Sequence, residues 1–186
     1  MQTPNGEFTK DELSLIHSAD SIMRVLTVTD PLDNQVLRAE STDLSTTALL
    51  SEDYSRLCEL MLATVTHPSQ DGVGIAAPQV GLNRRVVAVM RFDKKNEPFE
   101  IYANIKIIKR SKSMMVGEEG CLSVPDMRGE VERSEEIEIE YVDMEQLKNG
   151  TYAMKREKID GFTAVIFQHE TDHLDGIIYT DRVDVK

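Results

Sequence analysis

From Phe162 to Leu174 the chain sets Phe162, Ala164, Val165, Ile166 and Phe167 ahead of His169, His173 and Leu174, with no Pro or Gly between them. A segment this apolar, entered through Asp160-Gly161 and stopped at Asp175-Gly176, predicts a buried helix. Leu57, Cys58, Met61, Leu62 and Val65 form the apolar face of a second helix, capped by Ser51 and running to about Thr66. Cys58 sits on that face as a small buried residue. Near the start of the chain, Thr9 and Glu12 make a capping box for a short helix, Lys10 to Ala19. Between Arg85 and Ile159 the periodicity turns strand-like. It predicts strands over Val86 to Met90, Ile101 to Ile108, Ile137 to Tyr141, and Tyr152 to Ile159 around an Asn149-Gly150 turn. This order predicts an α+β domain in which antiparallel sheets wrap a central helix.

Composition narrows the class. At 186 residues the chain can bury one core and is too short for two ordinary domains. It has no run of eighteen apolar residues, so no membrane span is expected. A net charge of −12, from 33 acidic and 21 basic residues, opposes sequence-independent binding to nucleic acid. Lys109, Arg110 and Lys112 read as a solvated strand end. Met61, Met90, Met114, Met115 and Met127 read as fillers of core gaps. Met1 to Asp20 lacks the apolar centre of a secretory signal, and two cysteines in separate roles do not make a disulfide scaffold. The expected compartment is the reducing cytoplasm, setting aside any leader removed upstream of residue 1.

The predicted C-terminal helix carries His169-Glu170-Thr171-Asp172-His173, an H-E-x-x-H pattern. Side chains four apart share a helix face, so both imidazoles can reach one metal ion, and Glu170 sits where a general base for hydrolysis must be. A third ligand is needed. The spacing H-E-x-x-H-x-x-G-x-x offers Tyr179 where metzincins have histidine, and no glutamate follows His173. Asp175, Asp181 and Asp184 are weak candidates. Cys121, in Glu118-Glu119-Gly120-Cys121-Leu122-Ser123-Val124-Pro125, is a better one, carried by a strand or loop after a glycine turn. It would complete a Cys/His/His set with the fourth position open. A third segment, Gly72-Val73-Gly74-Ile75-Ala76-Ala77-Pro78-Gln79-Val80-Gly81, is rich in small residues around one amide. It lacks the Lys-Ser/Thr of a phosphate loop and reads on its own as a tight turn against the core.

Together GVGIAAPQVG, EEGCLSVP and QHETDHLDG resemble the three motifs of the peptide deformylases, and Arg24-Val25-Leu26 and Val36-Leu37-Arg38 resemble that family's opening strand and the arginine segment after it. The likeness implies residues 23–186 as a single catalytic domain and residues 1–22 as an N-terminal extension with a short helix. It implies removal of the N-formyl group from the formylmethionine of nascent polypeptides, with release of formate, in a cytoplasmic setting near the ribosome. Cys121, His169 and His173 would hold the metal, and Glu170 would be general base and acid. Gln79 and the backbone N–H of Leu122 would stabilise the formyl oxygen, with Gly74 and Ile75 along the substrate backbone. The family implies Fe2+, whereas the ligand set by itself suits Zn2+; Ni2+ or Co2+ could substitute. Against this stand a metallopeptidase of other specificity and a non-catalytic metal-binding module. Asn104-Ile105, where many members have Asn-Pro, and Thr171 depart from the pattern without removing a catalytic atom. The extension and the segment Glu145 to Tyr152 are where pocket rims or oligomerisation would differ.

Overall fold

Helices begin where the sequence supplies an oxygen for their free N–H groups. In the structure, a computed structural model that describes residues 6–183, the helices are α1 (Lys10–Ser18), α2 (Pro31–Leu37), α3 (Thr46–Leu49), α4 (Glu52–Val65), α5 (Met144–Lys148) and α6 (Gly161–Leu174). Thr9, Asp30, Ser45, Ser51 and Asp143 cap the first five with side-chain oxygens. The Thr9 and Glu12 capping box is present, and α1 and α4 end within one residue of the expected positions.

The strands are β1 (Gly74–Ala76), β2 (Val86–Met90), β3 (Phe99–Ala103), β4 (Lys106–Arg110), β5 (Met114–Cys121), β6 (Val124–Ser134), β7 (Glu136–Val142) and β8 (Met154–Asp160). They form three antiparallel sheets, ordered β1-β2-β3, β4-β7-β8 and β5-β6. Strand β2 reads Val-Val-Ala-Val-Met without polar alternation because both of its faces are covered. Val86 and Ala88 join the cluster of Ile16, Leu57, Leu60, Met61 and Val65 from α1 and α4. Val87 and Val89 join Ala164, Ile166, Phe167 and Leu174 of α6. The sheets therefore enclose α6, the α+β arrangement expected.

Local departures have local causes. The expected strand Ile101 to Ile108 is two strands in different sheets, broken at Asn104, which holds φ 52°. Its amide fixes the corner by accepting from Leu44 N at 2.8 Å and donating to Leu44 O at 2.9 Å. Asn149-Gly150 is not a hairpin turn. It ends α5, with Gly150 at φ 84°, and the last strand starts at Met154 instead of Tyr152. Gly120 lies within β5, and the turn is Leu122-Ser123. Arg24-Val25-Leu26 is extended but outside the regular ladders. Leu26 N donates to Gln79 O at 2.8 Å, while Val36 and Leu37 are helical. Met61 fills the core, but Met114 and Met127 are exposed on the β5-β6 hairpin. Among the described residues no helix is long and apolar enough to cross a membrane.

The N-terminal helix is clamped to the segment that follows Gly81. Arg84, with 0% exposure, donates through Nε to Glu12 Oε1 at 2.7 Å and through Nη2 to Glu12 Oε2 at 2.9 Å and to Glu7 O at 2.5 Å. Burial would raise the Glu12 carboxyl, but the hydrogen bonds from Arg84 and the Thr9 backbone outweigh it and hold it below its ordinary value. Replacing Glu12 with Gln leaves a buried cation unpaired, which costs about 3 kcal/mol, or about 6–12 °C in Tm at neutral pH. A carboxyl depressed by folding stabilises above its unfolded pKa and loses that contribution as the pH falls through the folded value. Thermal melts of parent and Glu12→Gln should therefore converge as the pH drops below 4.5, the ordinary glutamate value.

Candidate metal centre

Cys121 ends β5 beside a register shift at Gly120 and Cys121, while His169 and His173 project from one face of α6. The three ligand atoms lie within 4.8 Å of one another, and Cys121 Sγ is 3.2 Å from His173 Nε2. A thiolate and two imidazole nitrogens at these separations fit a single divalent ion with room for a further ligand. Of the weaker candidates, Asp175 pairs with Arg85 at 2.7 Å and Asp181 pairs with Arg38, so neither joins the cluster. Asp184 lies outside the described residues. Tyr179, at the metzincin histidine position, stacks on His169 with ring centroids 6.0 Å apart.

The histidines differ in their other ring nitrogen. His169 Nδ1 donates to Glu119 Oε2 at 2.8 Å, whereas His173 Nδ1 is buried without a protein partner. Glu119 receives Arg133 Nε at 2.8 Å and Nη2 at 2.9 Å; Arg133 also pairs with Asp172, which Arg182 holds at 2.6 and 2.7 Å. Burial would raise the Glu119 carboxyl, but the Arg133 and His169 hydrogen bonds bring it down to about 2, so it stays an acceptor. This ionic chain fixes the His169 ring and makes its metal-facing nitrogen more basic. Sequence reasoning missed Glu119, Arg133, Asp172 and Arg182 as ligand supports. One signal was present: Glu119 and Cys121 are two apart, the spacing that puts side chains on one face of a regular strand.

Glu170 follows His169 and is 4% exposed, with Oε2 lacking a hydrogen-bond partner. Burial pushes its carboxyl up to about 7. Gln79 sits in the 3₁₀ turn Ala77–Val80 that follows β1. Its Oε1 accepts from Ala76 N at 2.9 Å, which turns Nε2 toward Ser123 Oγ at 3.2 Å and Cys121 Sγ at 3.5 Å. Leu122 begins the turn after Cys121. Gly74, Gln79, Cys121, Leu122, His169 and Glu170 all line one cleft of about 830 Å³. Met127, Phe162 and Val165 give it apolar walls, and Phe162 is 53% exposed despite belonging to the apolar helix. Ile75 does not line it. Its side chain packs on the α4 side, leaving only its backbone on offer. Strand β1 is at the edge of its sheet, with β2 as its neighbour.

The sequence profile of the polypeptide deformylase family matches residues 22–186. The peptide deformylase of Leptospira biflexa is 36% identical over 159 residues, which cover 82% of this chain and 84% of that protein. The Met-Ala-Ser-bound class I type b peptide deformylase of Acinetobacter baumannii superposes with a TM-score of 0.74 at 34% identity, covering 87% of this chain and 98% of that one. The Synechococcus elongatus peptide deformylase in complex with actinonin gives a TM-score of 0.74 at 31% identity, over 90% and 84%.

Removing the negative charge behind His169 should loosen the metal without unfolding the sheet. Glu119→Gln is expected to weaken divalent-ion affinity about 10–100-fold in competition with a chelator, while its far-UV circular dichroism matches the parent.

Proposed function

This chain belongs to the peptide deformylase family, and we propose that it removes the N-formyl group from the N-terminal formylmethionine of newly made polypeptides and releases formate. The observation that carries the reading is one cleft lined by Cys121 and His169 of the Cys121/His169/His173 ligand cluster and by the buried carboxylate of Glu170. In this reading residues 23–186 are the catalytic unit, and residues 1–22 are an addition clamped to it through Glu12 and Arg84. The setting is the cytoplasm, where both free cysteines stay reduced. The substrate is the emerging chain near the ribosome, and the net charge of −12 opposes direct binding to nucleic acid.

Cys121, His169 and His173 would hold the ion, Fe2+ in keeping with the family. When bound it polarises the formyl carbonyl and brings a water toward deprotonation near neutral pH. Glu170 would take the proton of the attacking water as its oxygen adds to the formyl carbon, and a carboxyl that burial pushes up to about 7 can return a proton. Gln79 Nε2, locked by the Ala76 hydrogen bond, and the Leu122 N–H are the donors for the formyl oxygen as it gains charge. The C–N bond then breaks, and Glu170 delivers the proton to the leaving amine. Gly74 and Ile75 offer the backbone of an edge strand along which an extended peptide can add.

Nickel-loaded protein should release formate from formyl-Met-Ala-Ser. Glu170→Ala should retain metal and lose about 10²–10⁴ in turnover, and Gln79→Leu about 10²–10³ in kcat. Unchanged turnover in metal-replete Glu170→Ala would falsify the mechanism. Cleavage of internal peptide bonds in place of formate release would turn the assignment to a metallopeptidase.

A further inference from the structure

Alternation along β1 sends Ile75 to the α4 side of the sheet and leaves Gly74 and Ala76 toward α6. At residue 74 the space belongs to Glu170. A Cβ there would lie 2.5 Å from Glu170 Oε1 and 2.9 Å from both Cδ and Cγ, far inside van der Waals contact. Backbone conformation does not require the glycine. Gly74 is a strand residue paired with Val89 and is not among the glycines with positive φ, so the nearest atoms an alanine would meet are those of the Glu170 side chain, which would have to shift out of that space.

What occupies it is a carboxylate that hydrogen bonds do not fully hold. Glu170 Oε2 is buried without a partner, so no hydrogen bond fixes that oxygen, and the carboxylate lines the cleft and rests against residue 74. Packing must then set its position, and Gly74 is the wall it rests on. We infer that Gly74 is a positioning residue for Glu170: the missing side chain is the seat that places the carboxylate in the cleft. This is separate from any backbone contact Gly74 makes with a peptide, and it rests on the reading of Glu170 as the base.

The test is a double-mutant cycle on nickel-loaded full-length protein. Gly74→Ala should lower kcat about 10²-fold by displacing the carboxylate, with KM and the affinity for the peptide Met-Ala-Ser unchanged and the metal content retained. Combining it with Glu170→Asp, whose shorter side chain clears the added methyl, should cost less than the product of the two single losses. Melting temperature gives a readout without turnover. Gly74→Ala should lower Tm in the parent and leave it unchanged on a Glu170→Ala background, where the colliding atoms are gone; that background also answers for a Gly74→Ala protein too unstable to assay. Equal Tm losses in both backgrounds, or a loss confined to KM, overturn the seat while leaving the base intact. Turnover retained by Glu170→Ala alone overturns the base and this inference with it.

Discussion

A helix with six consecutive polar residues can be buried only if the surrounding protein answers them. Gln168, His169, Glu170, Thr171, Asp172 and His173 of α6 are all buried, and an unanswered polar group in such a place costs about 1–3 kcal/mol. Much of the architecture consists of the answers. Gln168 exchanges hydrogen bonds with the backbone of Ser134 at the end of β6, so the amide ties the hairpin to the helix. Thr171 donates to Phe167 O, which settles its hydroxyl within the helix itself. Asp172 draws in Arg133 and Arg182, and His169 draws in Glu119. On α6 two buried side-chain atoms stay without a protein partner, Glu170 Oε2 and His173 Nδ1, and both belong to the residues of the H-E-x-x-H pattern. On this helix the satisfied polar groups build a scaffold, and the two exceptions fall on the candidate base and a candidate ligand.

A second buried charge braces the opposite flank. Arg91 is 1% exposed and binds Asp93, Glu157 and the Tyr102 hydroxyl, with its guanidinium carbon 5.8 Å from the ring centroid of Phe167 on α6. The helix is thus held between two ionic clusters that approach from different sheets. Ligand positions in the cleft inherit their rigidity from both sides.

Legibility in the sequence followed the strength of local signals. The α6 segment, the Ser51 and Thr9 caps and the all-apolar β2 could be read because propensity, capping and burial agree there. The β5-β6 hairpin could not. Val116-Gly117-Glu118-Glu119-Gly120 is polar and glycine-rich, and it is a strand because of its register with Glu132 to Arg128 and not because of its composition. The corner at Asn104 was equally hidden, since an asparagine with positive φ is visible only once its contacts with Leu44 are known. At the cleft, the candidate ligands His169, His173 and Cys121 followed from residue type and spacing. Gln79 and Leu122 came only through family likeness, because an amide in a turn carries no chemical signature. The Arg133 to Arg182 support depends on tertiary contacts that no sequence period encodes.

The central place of α6 has a consequence for how the chain reaches this state. Its apolar residues complete the cluster with Val87, Val89, Ile137, Ile139 and Ile159, yet it is the last α-helix among the described residues. Any fragment ending before Gly161 would expose those faces of two sheets, and the cysteine side of the cleft waits on histidines about fifty residues downstream. The α1 clamp joins residues 72 apart, so the N-terminal portion cannot settle early either. With so many decisive contacts long-range, folding should be a late, collective event on the slower side for a domain of this size, and partial chains are the form most exposed to aggregation.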